Sequence, residues 1–405
     1  MSFQQGLSGL NGAQRSLDAI SNNVANSNTA GFKASQAQFA DVYAAALGVG
    51  GASQIGIGTT VAAVSQQFTQ GNVAVTNNPL DVAVNGAGFY RMSTNGVITY
   101  TRNGQFNIDK NGFIVNASGS RLTGYAADAQ GTIIPSSPVD ITIDTSDLTP
   151  KQTSLARLGV NLDSRAAQPS VVPFNSDDPL SYTASTSLTT FDTLGNPHIM
   201  TVYFVKEPTA AATDYAMYTR LDSDPVGAAI PLDFDERGTL ITGMPLSQSF
   251  NINTGAVSPL AFTFDLSGST QFGSPFGVNR LLQDGFTSGR LSGLSIASDG
   301  VVQGRYSNGQ SRNLGQVVLA NFNNPNGLQS IGNNQWSETN ESGQPLVGAP
   351  GTGSLGLLQS AAIEESNVDL TAELVNMITQ QRAYQANAQS IKTQDQVLQT
   401  LVNLR

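Results

Sequence analysis

"DLTAELVNMITQQRAYQANAQSIKTQDQVLQTLV", residues 369–402, has apolar side chains at spacings of three and four, the period of one face of an α-helix. Asp369 or Thr371 can cap the start of this helix, and Glu373 lies in its first turn, where the helix dipole favours a negative charge. The pattern predicts an amphipathic helix with an apolar stripe formed by Leu370, Leu374, Met377, Tyr384, Ala388, Ile391, Leu398 and Val402.

The other end of the chain carries a second stripe with the same spacing, formed by Phe3, Leu7, Leu10, Ala13, Leu17, Ile20 and Val24. None of the 17 prolines precedes Pro79 or follows Pro350, so both ends lack the residue that most disrupts helix interiors. A helix of about 24 residues is marginal alone in water. We therefore expect each terminal helix to pair with the other, with neighbouring copies of the chain, or with both.

Between the two ends the apolar period changes from helical spacing to simple alternation, as in "NPLDVAVNGAGFYRM", residues 78–92. Asn-Gly and Asp-Gly pairs are strong hairpin signals, and they occur at Asn103-Gly104, Asn111-Gly112, Asp299-Gly300 and Asn308-Gly309. The fold class predicted from these patterns is a multidomain, mainly β protein with α-helical termini.

The middle of the chain is richer in proline, and "SLTTFDTLGNPHIMTVYFVKE", residues 187–207, predicts a hairpin with long arms. We interpret this part as an outer β-domain inserted into an inner one, an order that brings the terminal helices side by side as a coiled-coil-like pair. The predicted divisions are a terminal helical region at 1–68 and 361–405, an inner β-domain at 69–145 and 285–360, and an inserted outer β-domain at 146–284.

The composition argues against several classes of function. A net charge of −10 would repel a phosphate backbone, so nucleic acid is not an expected partner. The absence of cysteine excludes disulfides and thiolate metal sites. His198 is the single histidine, and we interpret it as structural because no second His or Cys could complete a catalytic dyad with it. The sequence predicts no enzyme.

Candidate metal and cofactor motifs are incomplete. Asn107 to Gly112 resembles the start of a calcium loop, but Ser118 stands at the twelfth position, where a bidentate Glu is required. A hairpin turn explains this segment better. "DFDERG", residues 233–238, is interpreted as an acidic turn, and Gly86-Ala-Gly88 lacks the third glycine of a dinucleotide fingerprint. We expect neither a metal nor a cofactor.

Targeting and membrane signals are also missing from the sequence. The N-terminal "MSFQQGLSGLNGAQRSL" lacks a basic region followed by a continuous apolar core, so we expect no cleaved signal peptide. The uncharged run from Val42 to Thr69 is interrupted by Gly, Ser, Gln and Thr, and we expect no insertion into a membrane.

Several motifs in order resemble the flagellar axial family of bacteria, the rod and hook proteins, and its hook members most closely. These motifs are "GLSGLNGAQRSLDAISNNVANSNTAGFKAS" at 6–35, "PLDVAVNGAGFY" at 79–90, "YTRNGQF" at 100–106, "GQVVLANFNNPNGL" at 315–328 and the C-terminal stretch from 351. In the middle domain only "TTFDTLGNPHIMTVYFVK", residues 189–206, is similar to hook proteins.

The resemblance implies a structural subunit that self-assembles into a curved, hollow, flexible tube, which links rod to filament and transmits motor torque. Implied partners are further copies of the chain, the distal rod protein, the hook cap, the hook–filament junction proteins and the flagellar type III export apparatus. Implied localisation is extracellular, at the hook and basal body, after export without a cleaved signal.

The stripes and the resemblance together predict a self-assembly interface. It comprises Phe3, Leu7, Leu10, Leu17, Ile20, Val24, Asn26, Phe32, Leu370, Leu374, Met377, Tyr384, Ile391, Leu398 and Val402. In "SNNVANSNTAGFKAS", residues 21–35, we expect weak hydrogen bonds that neighbouring copies can exchange as the tube bends.

Two alternatives remain open at this point. A distal rod protein would share both ends and the inner domain but would be shorter, since it lacks the large insertion. A secreted β-rich adhesin or carbohydrate-binding protein would account for the composition and the turns, but not for two apolar stripes at the extreme termini.

Overall fold

The computed structural model describes residues 2–42, 56, 58–207 and 215–403. It divides into two compact units. The first unit comprises residues 1–145, 293–305 and 311–405, and the second unit comprises residues 146–292 and 306–310. The predicted boundary of the insertion at 284 differs from this division, since Phe286 and Gly289 form β-bridges to Lys151 and Leu148 and so group with the second unit.

Two long helices lie near the ends of the described chain: α1 (Ser2–Ala25) and α2 (Leu370–Asn403). Asp369 caps α2, because its Oδ1 accepts the backbone N–H groups of Thr371 and Ala372 at 2.9 and 3.1 Å. Both helices were expected from their apolar period, and both are confirmed.

The two helices pack against each other within one chain, as predicted. Glycines on α1 permit the close approach. A Cβ added at Gly6 would lie 3.0 Å from Ile391 Cγ1, and one added at Gly9 would lie 2.8 Å from Asn387 Nδ2. Asn387 and Ile391 are one turn apart, so they mark the face of α2 that contacts α1.

In the described part of the chain, ten strands precede the second unit: β1 (Ser35–Val42), β2 (Gly58–Gln66), β3 (Val73–Val75), β4 (Val82–Asn85), β5 (Phe89–Thr94), β6 (Val97–Thr101), β7 (Asn107–Ile108), β8 (Ile114–Val115), β9 (Arg121–Ala126) and β10 (Val139–Asp140). Those of the second unit are β11 (Leu155–Asn161), β12 (Ala184–Phe191), β13 (Pro197–Lys206), β14 (Tyr215–Leu221), β15 (Ile230–Leu232), β16 (Leu246–Phe250), β17 (Leu260–Asp265) and β18 (Gly277–Gln283). The remaining strands are β19 (Leu291–Ile296), β20 (Val301–Tyr306), β21 (Ser311–Val317), β22 (Leu319–Asn321), β23 (Gln329–Gly332), β24 (Gln335–Ser337), β25 (Leu346–Gly348), β26 (Leu357–Ser360) and β27 (Ala362–Glu364).

A large sheet organises the first unit, with the strand order β19-β20-β21-β9-β5-β6-β24-β23. Some of its strands precede the second unit in the sequence and others follow it. The sheet therefore joins residues 89–126 to residues 293–337. A cluster of buried side chains lies on this sheet and includes aromatic rings from three of its strands, Phe89 on β5, Tyr100 on β6 and Trp336 on β24. Smaller pairs, β26 with β4 and β27 with β3, connect the segment before α2 to the N-terminal half.

Three of the four predicted hairpin turns are confirmed. Asn111-Gly112 lies between the antiparallel strands β7 and β8, and Asp109 Oδ1 holds the turn by accepting the Asn111 and Phe113 N–H groups. Asp299-Gly300 connects β19 to β20, and Asn308-Gly309 connects β20 to β21.

The hairpin predicted at Asn103-Gly104 is wrong. Both edges of β6 are already occupied, by β5 on one side and β24 on the other, so β6 cannot pair with β7. The Gly104 carbonyl instead accepts the N–H of Val82, and a Cβ at Gly104 would collide with the Val82 carbonyl. Glycine is needed there for close backbone approach and not for a tight turn.

The second unit contains two four-stranded sheets, β16-β17-β11-β18 and β12-β13-β14-β15. Both sheets contribute to one apolar core, for example through Leu158 and Phe264 from the first sheet and Met200, Phe204 and Met217 from the second. The predicted long hairpin is confirmed, because β12 and β13 pair in antiparallel register from Ala184 opposite Phe204 to Phe191 opposite Pro197.

No helix in the described part of the chain is both long enough and apolar enough to span a membrane.

Candidate self-assembly surface

The paired terminal helices leave large apolar side chains uncovered. On α1, Phe3 and Leu7 are each 45% exposed. On the first turns of α2, the exposed apolar residues are Leu370, Leu374, Val375 and Ile378, which we call the α2 stripe. These exposures reach 59% at Val375, although the helix that carries them is already packed on α1.

The predicted stripe on α2 is divided between two faces of the helix. Met377, Tyr384 and Ile391 are spaced by seven residues, are partly buried and share the face that contacts α1. Leu374 lies on a different face and is exposed with the α2 stripe. Leu370 and Leu398 continue the seven-residue spacing of Met377 and Ile391, but they lie at the two ends of that row and are exposed. Val402 belongs to α2, but its side chain lies outside the described residues. Only part of the predicted interface is therefore available to another molecule.

The predicted residues of α1 also differ in exposure. Ile20 is buried, with 7% of its surface exposed, and Leu10, Leu17 and Val24 are partly buried. Phe3 and Leu7 are the members of this stripe that offer substantial apolar surface to a neighbour.

Asn26 and Phe32 serve the chain's own fold. Asn26 Nδ2 donates to the Asn22 carbonyl at 2.9 Å, and Asn26 Oδ1 accepts the Thr29 hydroxyl at 3.2 Å. Phe32 is buried, with 8% of its surface exposed. These contacts close the turn after α1 on itself, and they leave Phe32 little surface for a neighbouring copy.

Asn23 is a structural residue that the sequence analysis did not single out. It is buried, its Nδ2 donates to the Ser35 carbonyl, and its Oδ1 accepts the Ser35 N–H, both at 2.8 Å. The same Nδ2 donates to Glu373 Oε1 on α2 at 3.1 Å. The expectation of exchangeable hydrogen bonds is therefore wrong for Asn23, which joins the end of α1 to β1 and α2.

A buried ion cluster, formed by Lys33, Arg102 and Glu364, lies beside this junction. Lys33 Nζ is 2.6 Å from Glu364 Oε1, and Arg102 Nη1 is 3.2 Å from Glu364 Oε2. Burial lowers the pKa of Lys33 and of Arg102, and the Glu364 carboxylate opposes the decrease at both. Charges removed from water at this depth are tolerated only when they are paired and hydrogen-bonded.

The buried ion cluster joins segments that are far apart in the sequence. Lys33 Nζ also donates to the Thr69 carbonyl at 2.7 Å, and Glu364 Oε1 accepts the Gly71 N–H at 2.9 Å. The Gly31 N–H donates to the Glu364 carbonyl at 2.7 Å. The chain after α1 is thus fixed to the segment that leads into α2, and this positions the end of α1 relative to the start of α2.

Asn367 strengthens the same junction. Its Oδ1 accepts the Ala34 N–H at 2.8 Å, and its Nδ2 donates to the Gln67 carbonyl at 2.7 Å. A sequence signal for the junction did exist. Charged residues make up only 12% of the chain, and Lys33, Arg102 and Glu364 each lie inside a motif quoted for the family resemblance.

Family models match most segments of the chain. Residues 3–33 match the model described as "Flagella basal body rod protein", and residues 83–153 match "Flagellar hook protein FlgE/F/G D1 domain". Residues 161–286 match "Flagellar basal body protein FlaE D2 domain", and residues 359–404 match "Flagellar basal body rod FlgEFG protein C-terminal".

Individual relatives match from end to end. The chain is 44% identical to the flagellar hook protein FlgE of Escherichia coli (strain K12) over 417 residues, covering 100% of both chains. It is 32% identical to the flagellar hook protein FlgE of Borreliella burgdorferi, covering 100% of this chain and 99% of the relative.

Among solved structures, the Helicobacter pylori flagellar hook protein FlgE2 has a similar fold. The TM-score is 0.52 at 14% identity, over 72% of this chain and 100% of that one. The fold, the order of the matched segments and the full-length identity lead to one conclusion: the chain belongs to the flagellar hook protein FlgE family.

Proposed function

We propose that this chain is the structural subunit of a flagellar hook, and that copies of it polymerise through the α2 stripe into a curved, hollow tube. The main support for this proposal is the exposure of the α2 stripe on a helix that already packs against α1. Clustered exposed apolar side chains mark sites of protein–protein contact. In this tube, contacts between helices would transmit torque from the rod to the filament.

Burial of the α2 stripe would stabilise the polymer. Covering a Leu, Ile or Val side chain completely contributes about 1.5–3 kcal/mol relative to leaving it exposed, and these four residues are only about half covered in the single chain. Phe3 and Leu7 of α1 would add to the same kind of contact. Several such contacts per subunit are enough to hold a polymer whose single contacts are weak.

The family determines the class and the place of the protein. Hook proteins form a structural family and not an enzyme family, and they are located in the flagellar hook and basal body. We further propose that the chain is exported by the flagellar type III apparatus without a cleaved signal. Its neighbours in the assembly would be the distal rod protein, the hook cap and the hook–filament junction proteins.

The full-length relatives favour the hook over the distal rod. They carry the name of hook proteins across the whole chain, and residues 161–286, which a shorter rod protein would lack, match a domain model of their own. No observation favours a secreted adhesin.

Leu374→Asp tests the proposal, because it places a charge in the centre of the α2 stripe. Gln385→Asp is the matched control, since Gln385 is a polar, exposed residue of the same helix that lies beyond the last residue of the stripe. We expect Leu374→Asp to abolish tubes in electron micrographs of concentrated protein and to keep the melting transitions of the two units. Gln385→Asp should form tubes as the wild type does. Normal tubes from Leu374→Asp would refute the proposal.

A further inference from the structure

His198 is the single histidine of the sequence, and it lies buried near the start of β13 in the second unit. Its side chain is 6% exposed. A buried imidazole must have both ring nitrogens satisfied by neighbours, since water cannot reach them. The identity of those neighbours determines whether the ring is neutral or charged.

Both ring nitrogens face carboxylates. His198 Nδ1 is 2.7 Å from Asp222 Oδ2, at the end of β14, and His198 Nε2 is 3.3 Å from Asp192 Oδ2, in the turn between β12 and β13. A carboxylate only accepts hydrogen bonds, so both nitrogens must donate, and this requires the imidazolium form. A neutral ring would leave one lone pair facing a carboxylate oxygen.

The two carboxylates are held in place by other donors. Asp192 Oδ1 accepts the N–H groups of Leu194 and Asn196, and its Oδ2 accepts the Thr254 hydroxyl at 2.7 Å. Asp222 Oδ1 accepts the Ile199 N–H at 2.8 Å. These bonds aim both carboxylates at the ring, so the geometry does not depend on His198 alone.

Hydrogen bonds connect a loop of the second unit to the turn between β12 and β13. Thr254 belongs to the segment 251–259 between β16 and β17, and it reaches the β12–β13 turn through Asp192. A second bond joins the same two segments, because the Val257 N–H donates to Thr193 Oγ1 at 3.0 Å.

We propose that Asp192, His198 and Asp222 form a proton-controlled clasp, which holds the segment 251–259 on the β12–β13 turn while the imidazole is charged and loosens it when the imidazole becomes neutral. Loss of the proton leaves two carboxylates facing a neutral ring, one of them opposite a lone pair of the ring. Repulsion between that lone pair and the carboxylate oxygen would push the turn and the end of β14 apart. The clasp is a conformational device of the second unit, and it is separate from the terminal helices that carry polymerisation.

The direction of the pH dependence follows from the groups that face the ring. Burial alone lowers the pKa of His198, but the hydrogen bonds and charges of Asp222 and Asp192 outweigh it, and the pKa is raised above 6.5. The Thr190 hydroxyl donates to the His198 backbone carbonyl and the Thr254 hydroxyl donates to Asp192 Oδ2, so neither adds a charge beside the ring. The stabilisation is therefore complete below pH about 6.5 and is lost as the pH rises through the folded pKa.

The pKa of Asp192 determines the lowest pH at which the clasp keeps its stabilisation. Burial opposes ionisation of Asp192, but its hydrogen bonds to Thr254, Asn196 and His198 lower its pKa below the ordinary range. Its contribution is therefore present above pH about 3.9 and is lost only as the pH falls through the lowered value. The clasp should be closed at moderately acidic pH and should open as the pH rises through the raised pKa of His198.

Nuclear magnetic resonance on the full chain tests the clasp directly, because a single histidine gives a single imidazole signal. We expect the Cε1–H signal of His198 to titrate with a midpoint above 6.5, and the Val257 amide signal to shift with the same midpoint. A midpoint at or below 6.5, or a Val257 signal that does not follow the imidazole, would overturn the proposal.

A second test of the clasp uses the variant Asp222→Asn, with Asp224→Asn as its matched control. Asp222 is half-exposed, so the variant should fold, and loss of one carboxylate should lower the imidazole midpoint by about one unit or more. Asp224 is an exposed carboxylate two residues away and should leave the midpoint unchanged. Equal midpoints in Asp222→Asn and wild type would also refute the clasp.

Discussion

Glu364 accepts hydrogen bonds from Lys33, Gly71 and Arg102, three residues that lie far apart in the sequence. The sequence contained every member of this cluster, but nothing in the local pattern shows that a lysine after an asparagine-rich turn meets a glutamate more than 300 positions later. Such pairing depends on tertiary geometry, which neither helical nor strand periodicity encodes. Single side chains could therefore be predicted where they repeat in a pattern, and not where they act alone.

Glu364→Gln should destabilise the first unit strongly, because it leaves Lys33 and Arg102 as buried cations without a counter-charge. Breaking a buried pair in this way costs about 3–5 kcal/mol. Glu365→Gln is the control, since Glu365 is exposed and its Oε2 accepts a hydrogen bond from Asn72 at the surface. Chemical denaturation should separate the two variants, and equal midpoints would contradict a structural role for the cluster.

Gly31→Ala should also be costly, for a reason confined to the backbone. Gly31 has φ of +70°, and a Cβ there would lie 2.6 Å from the backbone nitrogen of Asn103. Gly119 has a similar φ of +79° but open space around a Cβ, so Gly119→Ala isolates the conformational strain. We expect a larger drop in melting temperature for Gly31→Ala than for Gly119→Ala. Equal drops would show that the close approach is unimportant.

At the scale of elements, the apolar period predicts whether a segment is a helix or a strand, but it does not predict which other element packs against it. The spacing of three and four predicted both α1 and α2, and alternation with Asn-Gly or Asp-Gly turns predicted three hairpins correctly. The spacing shows which residues share a helix face, but it does not show what covers that face. For this reason Ile391, which faces α1, and Leu374, which is exposed, belonged to one predicted stripe.

Ile391→Asp should therefore act differently from Leu374→Asp. Ile391 contacts α1 at Gly6, so an aspartate there would disturb the pairing of the two helices inside one chain. We expect reduced helical content by circular dichroism and faster proteolysis of α1 in the monomer. Leu374→Asp should leave both properties unchanged in the monomer. Identical behaviour of the two variants would contradict the division of α2 into two faces.

At the scale of the whole molecule, we propose that the second unit can be removed without loss of polymerisation. Among the described residues, the apolar core of the second unit and the aromatic cluster of the first unit share no member, so we expect each unit to fold around its own core. Thr145 joined to Gly293 by a short Gly-Ser linker should give a soluble protein with one cooperative melting transition and assembled tubes. A chain that no longer melts cooperatively would contradict this.

The central claim, that the α2 stripe joins neighbouring copies, is tested most directly by a cryo-electron microscopy reconstruction of the assembled tube at side-chain resolution. The account predicts that Leu370, Leu374, Val375 and Ile378 are buried against another copy, while Ile391 keeps its contact with α1 of the same chain. A reconstruction in which the four stripe residues still face solvent would contradict the account.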